Sequence, residues 1–309
     1  MWKAVLSPVK IILDSFQILL SNKLVFTSIL IFTTLPLSTL IITLSFSLHS
    51  RATQIHHLEI LARYSSTRFE ARHVWQESRH DALSLLRTRA LFSLPTYLLS
   101  LSAAISSVHS TLSPTSPTLR SAAKSISINY RRPFLTSIFV YAILFVFSPV
   151  RIAFSAISAS TGSIFLVNAI LFVIEVYLMS VLSMGLVVSI AEERFGWDAI
   201  RVGSGLMEER RVCGWVLTGL CFLSSKLIRS KVEKFLEGQI EPPEFLGLTD
   251  MAAKEIKIEE KAVLIGWYGL VVLLSYVIMS VYYSDCRKRH PIREPESDNH
   301  EHQLHSLSL

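Results

Sequence analysis

Residues 134–190 read FLTSIFVYAILFVFSPVRIAFSAISASTGSIFLVNAILFVIEVYLMSVLSMGLVVSI, and this stretch decides the fold. Two apolar runs flank a turn of small residues at Thr161 and Gly162. Each run is about 20 residues or longer, and at about 1.5 Å per residue such a helix crosses a hydrocarbon core about 30 Å thick. The stretch therefore predicts a hairpin of two transmembrane helices.

Two full charges, Arg151 and Glu175, stand inside this hairpin. They lie at similar distances from the predicted turn, so a helical hairpin would bring them to similar depths. A lone charge at membrane depth is costly, and such residues tend to face the bundle and pair. We therefore expect Arg151 and Glu175 to form an intramembrane charged pair. The alternative is that Arg151 extends to the interface while Glu175 is protonated or bonds a serine of another span.

The composition supports a membrane protein. Half of the residues are hydrophobic and 17% are charged, compared with about 25% charged in an average soluble domain. The net charge of +6 is spread over several loops, which argues against a nucleic-acid-binding face and fits contact with anionic headgroups. The lipid bilayer and its anionic headgroups are therefore the expected partners, whereas protein partners stay open.

An amphipathic helix is predicted ahead of the first span. Its apolar face carries Trp2, Val5, Val9, Ile12, Phe16 and Leu19, and its polar face carries Lys3, Lys10, Asp14, Gln17 and Ser21. A helix of this kind before a span is expected in the membrane interface, and a helix packed on a protein partner is the alternative. The first span, residues 24–48, carries Pro36 near its middle. Pro36 predicts a kink, with Thr33 and Thr34 bonding the freed carbonyls.

The loop predicted at residues 49–89 is basic and rich in histidine. His73, Glu77 and His80 would share one face if this segment were helical, which would allow metal binding. No cysteine or second histidine cluster stands at zinc spacing, so a solvated helix face is favoured. The three cysteines also lack a metal or redox spacing. We expect no metal site and no cofactor.

An internal repeat organises the chain. A Ser-Pro step, an amphipathic segment, a basic residue and a span follow one another from Ser7 and again from Ser116, and a degraded third copy begins at residue 191. The expected fold is an all-α membrane protein with about six transmembrane helices, in three repeats of interfacial amphipathic helix plus helical hairpin. The units are residues 1–109, 110–190 and 191–283, followed by a polar, disordered tail at 284–309.

The segment EERFGWDAIRVGSGLMEERR at residues 192–211 follows a hydrophobic span. With the six-span layout, it resembles a family of uncharacterised plant membrane proteins, distantly similar to the membrane domain beside bacterial glycerophosphodiester phosphodiesterases. In such relatives an acidic, tryptophan-containing amphipathic helix precedes a span, here with Glu192, Glu193, Gly196 and Trp197. The resemblance implies a layout and no activity, because this sequence shows no phosphodiesterase catalytic domain.

Sequence patterns of known catalytic chemistry are lacking. There is no GxSxG, HExxH, P-loop or DxD-like acidic cluster, so we expect no enzymatic activity. The pattern favours a structural, scaffold or lipid-interacting role, trafficking included, in the endoplasmic reticulum or another endomembrane, or in the plasma membrane. The alternative is a small-molecule or ion transporter, which the repeats and the intramembrane charges also fit. A transporter should show polar residues that converge on one cavity.

Basic residues directly before spans one, three and five place the interfacial helices on the cytosolic side. We expect the termini and the loops at 110–133 and 191–211 to share that side. Single cysteines at Ser116, Thr67 and Glu244 in a cysteine-free background test this with an impermeant thiol reagent. Ser116 should react from the cytosol, and Thr67 and Glu244 should react from the other side. Cytosolic labelling of Thr67 without Ser116 would reverse the orientation.

Overall fold

The computed structural model describes residues 2–48, 68–113, 130–157, 161–237 and 250–289. All regular secondary structure in these ranges is helical, which confirms the all-α fold class. The helices are α1 (Trp2–Ser21), α2 (Lys23–Leu48), α3 (Arg68–Leu112), α4 (Arg131–Ile157), α5 (Thr161–Ala191), α6 (Gly196–Leu206), α7 (Arg211–Glu237) and α8 (Asp250–Arg289). A 3-10 turn, Glu208–Arg210, joins α6 to α7.

Five stretches of the described helices are long and apolar enough to cross a membrane. They are Lys23–Leu48, Arg79–Leu112, Phe165–Ala191, Glu208–Lys234 and Glu259–Arg289. These stretches match predicted spans one, two, four, five and six. The predicted third span falls in α4, a helix of 27 residues, and it stays a prediction, as does the threefold repeat. The interfacial helix expected before α4 falls mostly on residues 114–129, outside the described residues.

Several helices continue beyond the apolar runs that predicted them. α3 begins at Arg68, so the second half of the loop expected at 49–89 belongs to the same helix as span two. α8 continues to Arg289, so residues 284–289 are helical rather than part of a disordered tail. Thr161 begins α5, so Thr161 and Gly162 lie in the helix rather than in the turn. Apolarity marks contact with hydrocarbon, whereas backbone hydrogen bonding continues into polar helix-forming residues.

Pro36 distorts α2 as expected, and the distortion takes the form of a π turn at Leu30–Thr34. Proline lacks a backbone N–H and its ring clashes with the preceding turn of helix, and a wider turn accommodates both effects. Thr33 donates its hydroxyl to the carbonyl of Ile29 at 2.7 Å, and Thr34 bonds the next carbonyl at 3.1 Å. The carbonyls of Ile29 and Leu30 therefore gain side-chain partners inside an apolar span. The carbonyl that Pro36 frees is that of Phe32, four residues before it, and a threonine partner for that carbonyl stays a prediction.

The largest core cluster lies at one end of the bundle. We call this end the junction; it includes Ile11 of α1, Val108 of α3, Met184 of α5, Leu206 of α6 and Tyr282 of α8. The first turns of α7 complete it. α1 and α6, the two described helices that were predicted to be interfacial, therefore dock on the same end of the bundle. The membrane side to which this end belongs stays a prediction.

Glycines allow α6 to lie directly against α5. A β-carbon at Gly203 would come within 2.9 Å of the backbone nitrogen of Gly185, and one at Gly185 within 2.9 Å of the α-carbon of Ile200. Gly196 begins α6 with φ of +62°, and its N–H donates to the Thr136 hydroxyl at 2.9 Å. This left-handed conformation favours glycine. The glycines of this segment therefore set its turn and its packing.

We expect Gly203→Ala to destabilise the fold, because its β-carbon would overlap backbone atoms that no rotamer change can move. Overpacking of this kind costs about 1–3 kcal/mol. Gly205→Ala is the matched control, since a β-carbon there meets nothing within 4 Å and alanine gains up to about 1 kcal/mol of helix propensity. Thermal unfolding of the purified chain in detergent measures both variants. Equal melting temperatures would contradict the packing described for α5 and α6.

Candidate functional site

Arg210 ties three helices together at the junction. Its guanidinium donates to a carboxylate oxygen of Asp285 on α8 at 2.7 Å and to the hydroxyl of Ser7 on α1. Its backbone carbonyl accepts a hydrogen bond from the buried Tyr282 hydroxyl at 2.9 Å. Gly214 leaves room for that hydroxyl, because a β-carbon there would lie 2.8 Å from it. The turn before α7 thus fixes both α1 and α8.

Glu192 links the end of α5 to the end of α8. Its carboxylate accepts a hydrogen bond from the Tyr283 hydroxyl at 2.7 Å. It also lies 3.4 Å from the guanidinium of Arg287 and 3.7 Å from that of Arg194. Only 13% of the Glu192 side chain is exposed, so these groups take the place of water around the carboxylate.

A polar groove runs between α1 and the last turns of α8. We call it the α1–α8 groove, and its volume is about 940 Å³. Its charged lining consists of Lys10, Asp14, Arg210, Asp285, Lys288 and Arg289. The volume falls within the range of about 300–1,000 Å³ that is typical of small-molecule sites. The groove is therefore the part of the described structure that is best suited to a polar ligand.

α1 has three faces. Ile11 and Ser15 are buried against the bundle. A second face is apolar and exposed, and it consists of Val9, Leu13, Phe16 and Leu20, each between 44% and 67% exposed. The third face carries Lys10, Asp14 and Gln17 into the α1–α8 groove. A helix that is docked on one face, apolar on the second and polar on the third has the surface of a helix at a membrane boundary.

Glu175 lies beside Lys226 of α7. The Lys226 ammonium is 3.6 Å from the Glu175 carboxylate and 4.5 and 5.2 Å from the ring centroids of Phe222 and Phe172. Arg151 lies in α4, but its side chain is outside the described part of the chain. The pairing expected for Arg151 and Glu175 therefore stays a prediction, and Lys226 is a partner of Glu175 that the sequence analysis did not identify.

Two small cavities adjoin inside the bundle, each of about 200 Å³. The lining of both is mainly apolar. The polar residues of the first are Ser183, Thr218, Cys221, Ser225, Ser275 and Tyr276. Those of the second are Tyr97, Ser100, Ser137, Tyr141 and the same Ser183. A hydrogen bond of 3.0 Å joins the hydroxyls of Ser100 and Tyr276. Hydroxyl groups therefore converge in the bundle, and among the lining residues none is charged.

No group of three or more His, Cys, Asp or Glu residues in the described ranges is placed to hold a metal ion. His80 of the predicted polar face is exposed. The structure does not describe the side chains of His73 and Glu77. The preference for a solvated face over a metal site at these three residues stays a prediction.

The arrangement is that of an all-helical protein, with helices long and apolar enough to cross a membrane and two shorter helices docked at one end. These features fit a membrane protein. The chain belongs to the family defined by a domain of unknown function (DUF8558), whose model matches residues 4–300. No curated protein and no solved structure matches the chain. The expected likeness to the membrane domain beside bacterial glycerophosphodiester phosphodiesterases stays a prediction.

The residues at the end of α8 were missed by the sequence analysis. Their charges suggested a polar tail, yet Asp285 and Arg287 make ion pairs that hold the junction. A signal was present in the spacing of the buried residues Ile278, Tyr282 and Cys286, each four residues from the last. This period continues the helical face of the span past the point where the charges begin.

Glu192→Ala should destabilise the protein by about 1–3 kcal/mol, because it leaves the Tyr283 hydroxyl and the Arg287 guanidinium without their partner. Glu193→Ala is the neighbouring control: the Glu193 side chain is 88% exposed, and its partner among the described residues is Arg132 at 3.1 Å, a kind of bridge worth about 0–1 kcal/mol. Thermal unfolding in detergent compares the two variants. An equal loss at both positions would refute the role given to Glu192.

Proposed function

We propose that the chain is a multi-pass integral membrane protein with a non-enzymatic, lipid-interacting role, acting as a scaffold or in trafficking. The three-faced surface of α1 carries this proposal. The apolar stripe of Val9, Leu13, Phe16 and Leu20 is exposed beside the charged Lys10. Hydrocarbon in contact with the stripe and headgroups in contact with the polar face account for both.

The energetics favour contact of this stripe with lipid. Transfer of an exposed aliphatic or aromatic side chain out of water contributes about 1.5–3 kcal/mol when it is fully buried. Leu13 and Leu20 are 63% and 67% exposed, so most of that gain is still available to them in the isolated chain. Docking on α7 and α8 also holds the helix in place, so the chain loses little additional conformational entropy when the stripe meets the bilayer.

The aromatic residues around α6 support the same boundary. Phe195 and Trp197 are exposed at 57% and 62%, directly beside the ion pair in which Arg194 donates to Asp198 at 2.9 Å. Tryptophan next to charged groups is enriched where hydrocarbon meets headgroups. α1 and α6 therefore form one lipid-facing boundary at the junction, and the ion pairs of Arg210 and Glu192 hold this boundary to the bundle.

The transporter alternative has one observation in its favour, the two adjoining cavities. They share Ser183, and hydroxyl groups from α3, α4, α5, α7 and α8 contribute to their mainly apolar linings. A flux screen in proteoliposomes tests this alternative. A solute whose flux requires the chain, and is abolished by Ser183→Met but not by Ser224→Met, a change outside both cavities, would favour transport over the proposed role.

Labels on α1 test the proposed function. A spin label at Leu13 should be broadened by oxygen, which partitions into hydrocarbon, whereas one at Gln17 should be broadened by a water-soluble nickel chelate. The reason is that Leu13 lies on the exposed apolar stripe and Gln17 lies on the polar face. Full-length protein in liposomes is measured, with the buried position Ile11 as the control inaccessible to both reagents. Equal exposure of Leu13 and Gln17 to the nickel chelate would refute the interfacial position of α1.

A further inference from the structure

The α1–α8 groove has a surplus of positive charge. Its lining contains four basic and two acidic side chains. Asp285 is engaged by two of the bases, at 2.7 Å from Arg210 and 3.9 Å from Arg289. This group of three keeps one net positive charge. Lys10, Asp14 and Lys288 make up the rest of the charged lining and keep another.

Lys10 and Lys288 reach the groove from different helices. Both are exposed, and neither forms an ion pair with another described side chain. Lys288 lies in the last turn of α8, where a cation also offsets the negative end of the helix dipole. Lys10 lies in the interior of α1, so its charge does not offset the negative end of a helix dipole. The two lysines of the lining that have no ion pair within the described part of the chain therefore come from two different helices, α1 and α8.

The same groove has an apolar side. Val9 and Leu13 line it from α1, and Val281 lines it from α8. Val9 and Leu13 also belong to the exposed apolar stripe, at 52% and 63% exposure, so the apolar wall of the groove continues into the surface expected to meet hydrocarbon. A soluble anion would use only the cationic part of this site. A molecule with an anionic head and apolar chains would use both parts.

We infer that the α1–α8 groove binds the headgroup of an anionic phospholipid, with its phosphate between Lys10 and Lys288 and its acyl chains along Val9 and Leu13. The surplus of two positive charges matches a phosphomonoester headgroup, and phosphatidic acid is the simplest lipid that carries one. The proposed function gains a definite ligand class from this site, and the inference rests on that function.

The test uses the full-length chain in neutral detergent, titrated with phosphatidic acid bearing a fluorescent acyl chain and, separately, with phosphatidylcholine bearing the same chain. The wild-type protein should prefer phosphatidic acid. Lys10→Gln combined with Lys288→Gln should lower the affinity for phosphatidic acid about tenfold or more. The reason is that each lysine near an anionic headgroup raises the affinity by up to about tenfold. Affinity for phosphatidylcholine should not change.

The matched control is Lys231→Gln combined with Lys234→Gln. It removes two exposed lysines from the last turns of α7, at the opposite end of that helix from the junction. This variant should keep the preference for phosphatidic acid, as should the double Lys10→Arg and Lys288→Arg variant. All variants should elute and unfold thermally like the wild type, because the changed side chains are exposed.

Two results would overturn the inference. An equal loss in the groove variant and the α7 control would show that attraction to the whole basic surface, and no local site, selects the lipid. Competition by glycerol phosphate at the concentrations effective for the lipid would show that the groove takes a free phosphate compound. Neither result bears on the spin labels of α1, so a failure of this inference is distinguishable from a failure of the proposed function.

Discussion

The hydrogen bond from the buried Tyr282 hydroxyl to the Arg210 carbonyl is the constraint on which the junction depends. A phenol buried this deeply needs an acceptor, and a buried donor left without one costs about 1–3 kcal/mol. Meeting that need fixes the backbone of the turn before α7. The Arg210 guanidinium is then positioned to bind Asp285 of α8 and Ser7 of α1. One buried hydroxyl thus helps, together with the packing of Ile11, to fix the place of α1 and of the groove.

Hydropathy alone predicted much of this architecture. The all-helical class, five of the apolar stretches and the distortion at Pro36 follow from local rules, because run length and proline chemistry depend only on neighbouring residues. The amphipathic character of α1 was predicted for the same reason. Its division into a buried face and an exposed apolar face was not predictable, since both are apolar and only the neighbouring helices distinguish Ile11 from Leu13.

The residues that sequence reasoning missed act over long separations. Glu175 forms an ion pair with Lys226, and Glu192 accepts a hydrogen bond from Tyr283. No local sequence pattern predicts these partners. Gly203 lets one backbone approach another, and helix propensity alone gives no sign of that role. The end of α8 was misjudged because its charges suggested solvent, although three of them pair within the junction. Polarity showed which groups needed partners and gave no information about which partners they would find.

The lengths of α3 and α8 give the molecule two unlike sides. With 45 and 40 residues, these helices are about 68 and 60 Å long, roughly twice the thickness of a hydrocarbon core. Both end at the junction, so their surplus length extends from the opposite end, where Lys261 of α8 lies over the Phe46 ring of α2. In a bilayer, the junction would lie close to the headgroups, whereas α8 would project from the other side. The part of α8 from Asp250 to Lys261 is about 16 Å long, so this side of the molecule extends past its contact with α2.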